Sequence, residues 1–388
     1  MPGPDELAGL VEELTPQVVE LRRLLHRTPE PAHHEYRTTE IIGRFLNTAG
    51  LVFNDRHPKT GGWVDVGTNP RVGFRADIDA LPIQEPAHNS PRSDNEGWMH
   101  ACGHDAHAAI AAGIAVAVSR LAPDTGVRIV FQPAEESIPG GAIEMVEEGL
   151  VDGFEGLLAF HVDPTLPVGR VGARVGAITA GSDAMRITVH GPGGHTSRPH
   201  KTVDLVTAAA RVAVELPMAI RNAIDPRSPV VVAFGSIQGG DAPNVIPTEV
   251  VLKGTVRTLD SRLWDVLPSL VDKTLGSLLA MSGAGYTLDY QQGIAPVVND
   301  ETVVERATAA IGLELGPDVV VPTETSMGGE DFSDYLTRTP GALFRLGTAS
   351  GGGDLHSAAF LLNEDAIAVG LRVGTAAVLS LTRPKMMQ

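Results

Sequence analysis

The sequence predicts an α/β protein: a mainly parallel, mixed sheet covered by helices, into which a smaller α+β domain is inserted. Three observations predict this fold class. Short apolar runs alternate with helical segments up to about residue 180 and again from about residue 294. A different order of elements occupies residues 181–293. Polar clusters follow the apolar runs of the first and last parts of the chain.

The helices of the larger part are predicted by the spacing of apolar residues. This spacing favours helices over residues 5–28 and 37–49, and a third helix, rich in small residues, over 105–121. Four continuous apolar runs predict buried strands, as expected for a parallel sheet covered on both faces. These runs are Val72–Ala76, Val127–Phe131, Leu157–Phe160 and Leu343–Leu346.

The inserted part has the order β-α-β-β-α-β, which is typical of a ferredoxin-like domain. Met185–His190 alternates like a half-buried strand. The remaining elements are helices near 203–222 and 262–281 and strands near 230–237, 248–258 and 286–291. We therefore predict one domain from residues 1–180 and 294–388, and a satellite domain from residues 181–293.

Composition limits the class of protein. The chain has 388 residues, 43% of them hydrophobic, and a formal net charge of -17, which makes nucleic acid and anionic membranes poor partners. Its single cysteine excludes an internal disulfide. The N-terminal segment lacks the pattern of a signal peptide, and no run is long enough for a membrane span. We therefore expect a soluble, cytoplasmic protein.

Each of the four buried strands runs into a polar cluster at its carboxyl end. Asp77 follows the first strand, Glu135 and Glu136 follow the second, and His161 follows the third; a glycine-rich loop leads from the fourth to His356. Open α/β sheets bind ligands at the carboxyl ends of their strands. We therefore expect these side chains to meet at one edge of the sheet.

The segment MHACGHDAH (99–107) adds Cys102 and His104, directly before the small-residue helix. Thiolate, imidazole and carboxylate groups suit zinc or manganese. The candidate ligands are Cys102, His104, Glu136, His161 and His356. Five side chains exceed what one catalytic ion with an open position uses, so we predict two divalent ions, with Cys102 as the candidate bridge. Taken singly, a lone cysteine is more often a buried small hydrophobe, and the joint placement favours the metal site.

Glu135 is predicted to have a different role from its neighbour Glu136. Adjacent residues in a loop point in different directions, so one can bind metal while the other faces the water that the metal activates. Hydrolysis of an amide bond by a metal-activated water usually requires a general base beside that water. We therefore predict Glu135 as the general base.

The satellite domain carries a second group of candidates. His195 follows a glycine turn, Asn244 lies in a glycine- and proline-containing segment, and Arg257 lies near the end of the following strand. Together these three side chains could hold a carboxylate and an oxyanion. The alternative interpretation is that the glycine turns are ordinary loop structure and that Arg257 is a surface charge. Gly328 and Gly329 precede an acidic helix start, which fits either a helix cap or a backbone that approaches a ligand closely.

The ordered motifs resemble the M20 metallopeptidase family, and within it the branch of hippurate hydrolases, N-acyl-amino-acid aminoacylases and auxin–amino acid conjugate hydrolases. The motifs are RADIDALPIQE, MHACGHDAH, QPAEE, GGHTSRPH, NVIP, GGEDFS and LHS. The early segment PEPAHHE (29–35) departs from the PELSFEE-like motif that is usual in the family. The resemblance therefore does not determine how the chain packs near the first helices. The stretch 87–98, before the MHACGHDAH segment, is polar and irregular and bears on the rim of the pocket for the acyl group. The resemblance therefore does not determine which acyl group is preferred.

The resemblance implies the predicted two-domain architecture and a dinuclear site with the five ligands named above. It implies Glu135 as general base, with Asp77 in a supporting position. It also implies that His195 assists the transition-state oxyanion and that Asn244 and Arg257 bind a substrate carboxylate. In relatives the satellite domain often dimerises, so a homodimer is left open.

The function predicted from these residues is hydrolysis of the amide bond of an N-acyl amino acid or a related small amide. A dipeptidase or carboxypeptidase of the same family is the first alternative, although no clear acidic residue is present to receive a free α-amine. A catalytically inactive small-molecule-binding protein on the same fold is a second alternative. Glu135 argues against it, because a binding protein needs no general base. A cysteine-nucleophile amidase is a third alternative. It would need a histidine dedicated to Cys102, whereas the candidate metal ligands already include the available histidines.

Overall fold

Helices and strands alternate along the chain as the apolar pattern predicts. The computed structural model describes residues 3–383. The helices are α1 (Pro4–Arg27), α2 (Tyr36–Thr48), α3 (His104–Leu121), α4 (Gly141–Glu147), α5 (Leu205–Ala223), α6 (Ser261–Leu279), α7 (Glu301–Leu315), α8 (Phe332–Tyr335) and α9 (Asp365–Leu381). None of these helices is long and apolar enough to cross a membrane.

The strands range from two to ten residues in length. They are β1 (Phe53–Asp55), β2 (Gly62–Val66), β3 (Val72–Asp77), β4 (Val127–Gln132), β5 (Gly156–Asp163), β6 (Val171–Ala173), β7 (Gly176–Thr179), β8 (Gly181–His190), β9 (Gly194–His195), β10 (Val230–Gln238), β11 (Val245–Ile246), β12 (Glu249–Thr258), β13 (Gly285–Ile294), β14 (Val297–Asn299), β15 (Val320–Pro322) and β16 (Gly341–Gly347).

The chain divides into two units. The first contains the residues up to Gly176, Val298–Glu324 and the residues from Asp331 onwards; the second contains Ala177–Val297 and Thr325–Glu330. The predicted satellite domain, 181–293, lies inside the second unit, and the predicted domain boundaries stay a prediction.

The first unit is built on an eight-stranded sheet in the order β1-β2-β4-β3-β5-β16-β6-β15. The four central strands, β4, β3, β5 and β16, run parallel to one another, whereas β2 pairs antiparallel with β4 and β6 pairs antiparallel with β16. The four predicted strands are therefore consecutive neighbours in the sheet. Their carboxyl ends meet at one edge, and the predicted fold class is confirmed.

Helix α3 is buried along nearly its whole length in the core of the first unit. Its small residues let helices α1 and α9 pack closely against it: a Cβ on Gly113 would lie 2.9 Å from Val18 and 3.0 Å from Leu371. Close packing on all sides leaves the helix little freedom to shift. Its amino end, where the MHACGHDAH segment lies, is therefore held firmly.

The second unit contains a four-stranded antiparallel sheet in the order β10-β12-β8-β13. Numbered along the chain, this order is 2-3-1-4, the order of a ferredoxin-like sheet. Helices α5 and α6 pack on one face, where alternate residues of β8 (Met185, Ile187, Val189) are buried with Leu216 and Leu267. Each amphipathic element thus buries its apolar side in a core separate from that of the first unit.

Candidate metal centre

The edge at which the four parallel strands end collects a group of polar side chains. Asp77 is the last residue of β3, and Glu135 and Glu136 follow β4. His161 lies near the end of β5, and the loop after β16 leads to His356. Parallel neighbours place these residues together, although they are as much as 279 residues apart in the chain.

Cys102 and His104 reach the same edge from the amino end of α3. Gly103, between them, has φ +78°, and a Cβ on it would lie 2.5 Å from Cγ2 of Val162. Only glycine fits this left-handed position without displacing β5. The tight entry into the helix places the thiol and the imidazole next to the side chains of β5.

The ligand atoms of the predicted residues form two overlapping groups. Those of Cys102, His104 and His161 all lie within 4.8 Å of one another, and so do those of Cys102, Glu136 and His356. Sγ of Cys102 is 3.4 Å from Nε2 of His161, and Nε2 of His356 is 3.1 Å from Oε1 of Glu136. Cys102 belongs to both groups, as a shared ligand would.

Glu135 lies beside this cluster. One of its carboxylate oxygens is 3.9 Å from Nε2 of His104, and an oxygen of Glu136 lies at the same distance from that atom. The two adjacent carboxylates thus flank one imidazole. All six residues predicted as ligands or base in this unit are therefore brought to one place.

The chemistry of this donor set fits a divalent cation. Nε2 of His104 is buried and makes no hydrogen bond to any of the residues that the structure describes. Burial opposes protonation of this ring, but Asp77, Cys102 and Asp79 together outweigh it and raise the pKa of His104 well above its usual range. Burial also raises the pKa of the Cys102 thiol to about 12. A cation would satisfy the imidazole and favour the thiolate.

Asp79, which the sequence analysis did not single out, supports two of the candidate ligands. Nδ1 of His104 lies 3.0 Å from the Asp79 carbonyl oxygen and 3.2 Å from its Oδ1, which leaves Nε2 directed towards the cluster. The backbone N–H of Glu136 donates to Oδ2 of Asp79 over 3.0 Å. Orientation of ligands by such carboxylates is usual in metal sites. The sequence signals for Asp79 are its position two residues after Asp77 and its place in the motif RADIDALPIQE.

Asp77 lies beside the candidate ligands and is held by two basic side chains. Its carboxylate accepts from Nδ1 of His107 over 2.6 Å and from Nη1 of Arg75 over 2.7 Å. Nη2 of Arg75 also donates to Asp331 over 2.8 Å. Burial opposes ionisation of Asp77, but His104, His107 and Arg75 hold its pKa well below the usual range. This buried negative charge adds to the attraction for a cation.

The second unit brings His195 and Asn244 together on two short paired strands and the turn beside them. His195 in β9 pairs with Val245 in β11, and the N–H of Thr196 donates to the carbonyl of Asn244 over 3.1 Å. Nδ1 of His195 accepts the backbone N–H of Ser197 over 3.1 Å. Both predicted residues are exposed to solvent.

Arg257 and the paired glycines form another group within the second unit. Nη1 of Arg257 donates to the carbonyl of Met327 over 2.6 Å, directly before Gly328 and Gly329. The N–H of Gly328 donates to the hydroxyl of Ser326 over 3.0 Å. The guanidinium is thereby held beside an exposed glycine backbone, rather than extending freely from the sheet.

Comparison with known proteins gives one family. The sequence matches peptidase family M20/M25/M40 over residues 73–380. It is 36% identical to an N-acyl-L-amino acid amidohydrolase of Geobacillus stearothermophilus, over 76% of this chain and 81% of that protein. It is also 39% identical, over 92% of its length, to a Rhodococcus jostii protein that carries the name of a glutamate–cysteine ligase; the chain spans only 46% of that protein.

The fold also matches that of a solved structure. A Bacillus subtilis protein, described as a dinuclear metal binding peptidase from the M20 family, aligns with a TM-score of 0.84 and 32% identity. The alignment covers 95% of this chain and 99% of that one.

Proposed function

The chain belongs to peptidase family M20/M25/M40, and from that premise we propose that it is a two-metal amidohydrolase of N-acyl amino acids or related small amides. The observation that carries the proposal is the pair of ligand groups that share Cys102, with Glu135 beside them. The earlier resemblance to the M20 family is confirmed. The substrate and the residue roles are our proposal.

Two divalent ions, zinc or manganese, would be held by the predicted ligands. These are Cys102, His104, Glu136, His161 and His356. When bound, such ions polarise the substrate carbonyl and lower the pKa of water towards neutrality. The thiolate, imidazole and carboxylate donors suit either metal.

Glu135 is proposed to move the proton in this reaction. Its carboxylate removes a proton from the attacking water and then delivers it to the nitrogen of the leaving amine. The position next to His104, but outside the two groups that share Cys102, supports this role. The Glu135 side chain is partly buried, which would shield its carboxylate from bulk water.

The residues of the second unit are proposed to bind the substrate. Because Nδ1 of His195 accepts a backbone N–H, the proton of the neutral ring lies on Nε2, which can donate to an oxyanion. Arg257 and Asn244 would hold the carboxylate of the amino acid, and the backbone of Gly328 and Gly329 would line that position. We further propose a cytoplasmic enzyme; a homodimer through the satellite domain stays open.

The test is a hydrolysis screen that pairs each N-acyl amino acid with a dipeptide of the same C-terminal residue. We expect cleavage of the acylated substrates, loss of activity on dialysis against a chelator, and recovery with added manganese or zinc. Activity that survives complete chelation would contradict the mechanism. Preference for the free α-amine of the dipeptides would instead indicate a dipeptidase.

A further inference from the structure

The turn that carries Glu135 and Glu136 contains an unusual backbone conformation. Ala134, directly before the two glutamates, has φ +56° and is completely buried. Residues other than glycine rarely adopt this left-handed conformation, because the Cβ crowds the carbonyl oxygen. Such a conformation persists only where the surroundings hold it in place. The contacts of Ala134 therefore determine the directions in which the next two side chains leave the backbone.

A carboxylate from a distant part of the chain provides one of these contacts. Oε1 of Glu35 accepts the backbone N–H of Ala134 over 2.8 Å. The Ala134 carbonyl accepts the N–H of Gly141 over 3.0 Å, which closes the turn from its other side. Without Glu35, the buried N–H of Ala134 would lose its acceptor, and a different backbone conformation would relieve both the steric crowding and the unpaired donor.

Glu35 is itself fixed in place. It is completely buried at the start of α2, its Oε1 also accepts the N–H of His33 over 3.0 Å, and its Oε2 accepts the hydroxyl proton of Thr60 over 2.5 Å. These two donors come from segments on either side of α2. An acceptor held at both oxygens can set the position of Ala134 rather than follow it.

We infer that Glu35 is a positioning residue for the proposed hydrolysis: it holds Ala134 in the left-handed conformation and thereby orients the carboxylates of Glu135 and Glu136. The inference rests on the proposed function, because it assigns to Glu35 an effect on the base and on one ligand. Glu35 needs no contact with substrate for this role. The hydrogen bond from the Ala134 N–H to Glu35 thus connects the segment PEPAHHE to the turn that carries the proposed base.

The first experiment compares Glu35→Ala with Glu35→Gln in the metal-loaded protein. Glutamine keeps an oxygen for the Ala134 N–H, and its amide can donate to the Thr60 hydroxyl, which is able to accept. We expect E35A to lower kcat by about 10-fold or more with a much smaller change in KM, and E35Q to restore most of that loss. A kcat for E35A equal to that of the wild type would overturn the inference.

Glu30→Ala is the matched control for general damage to this segment. Glu30 lies in the same loop and accepts the N–H of Thr38 over 2.8 Å, so its loss weakens the start of α2 without touching the turn. We expect E30A to lower the stability and leave kcat unchanged. Equal losses of kcat in E30A and E35A would mean that the segment acts only through stability, and this would also overturn the inference.

The second experiment tests the backbone directly. Glycine adopts φ near +60° without steric cost, so Ala134→Gly in the E35A background should recover about 3-fold or more of the lost kcat. A crystal structure of E35A should show Ala134 outside the left-handed region; an unchanged φ would reject the inference even if hydrolysis had never been detected. Should E35A not fold, Thr60→Val removes the donor to Oε2 and is expected to lower kcat more than E30A does; no such loss would reject the inference.

Failure of the proposed function would have a different signature. It would appear as absence of amide hydrolysis by the metal-loaded wild-type protein. The crystallographic readout at Ala134 does not depend on that activity.

Discussion

In the first unit Cys102 and His104 are 5% and 1% exposed, and each lies close to other candidate ligands, whereas His195 and Asn244 of the second unit are exposed to solvent. The first group is ordered by the folding of the sheet and of α3, so its ordering cost is met before any ligand arrives. The exposed side chains of the second group lose rotamer freedom only when a substrate arrives. Changes in the first group should therefore affect metal binding and turnover, and changes in the second should affect substrate selectivity.

Replacing the proposed base should give the largest effect. Glu135→Gln keeps the shape of the side chain but cannot take a proton, so we expect kcat to fall by at least about 100-fold with the metal content unchanged. The measurements are steady-state kinetics and metal analysis of the same preparation. Glu147→Gln, an exposed carboxylate at the end of α4, is the control. Near-normal turnover of E135Q would remove Glu135 as the base.

A support residue behind the ligands should give the next largest effect. Asp79→Asn removes the charge that faces Nδ1 of His104 and the N–H of Glu136. Loss of such a partner typically weakens metal binding by about 10- to 100-fold. Competition with a chelator measures the affinity, and Asp300→Asn, which alters the cap of α7 instead, is the control. An unchanged affinity would show that the ligands are oriented without Asp79.

The proposed substrate-binding residues of the second unit are tested by selectivity. Arg257→Ala should lower kcat/KM by about 10-fold or more for substrates with a free carboxylate, because a charge-assisted hydrogen bond is lost. Their amidated analogues should be affected much less, and stability should change little. Lys253→Ala on the same strand β12 is the control. Equal losses on both substrate series would reject a carboxylate-binding role for Arg257.

A half-buried carboxylate outside the candidate metal cluster should give the smallest effect. Burial raises the pKa of Asp334 in α8 to about 6 from an ordinary 3.8. Its folded-state pKa lies above the unfolded one, so the native state favours the protonated form and loses stability as pH rises from about 4 to 6.

Asp334→Asn should therefore stabilise the protein by on the order of 1–2 kcal/mol near pH 7 and by almost nothing near pH 4. Denaturant unfolding at both pH values measures this difference. A gain that is the same at both values would mean that ionisation is not its cause.

The sheet edge was largely predictable because its signal is local. A continuous apolar run that ends in Asp77 or His161 shows a buried strand and its polar end without knowledge of any other segment. The outer strands β1, β6 and β15 contain three residues each, too few for a periodic pattern, and were not predicted. The ends of α6 and β13 differ by up to three residues from the predicted bounds, because solvent-exposed termini carry little apolar signal.

The roles of Asp79 and Glu35 could not be read from local pattern. Glu35 meets Ala134 across 99 positions of the chain, through a backbone N–H that any residue type would provide. The PEPAHHE segment by itself therefore bears only on helix packing, whereas the structure places its last residue against the turn before Glu135. Asp79 gives no separate local signal, because Asp77, two residues earlier, already accounts for the acidic end of β3.

Gly103 has a consequence for engineering this protein towards other metals. The glycine fixes the spacing between the thiol of Cys102 and the imidazole of His104, and a Cβ at this position would collide with Val162. A mutagenesis library that varies Gly103 should yield few folded members. Libraries aimed at the loop from Thr348 to His356 vary the approach of the candidate ligand His356 while the strands stay intact, so altered metal preference is better sought there.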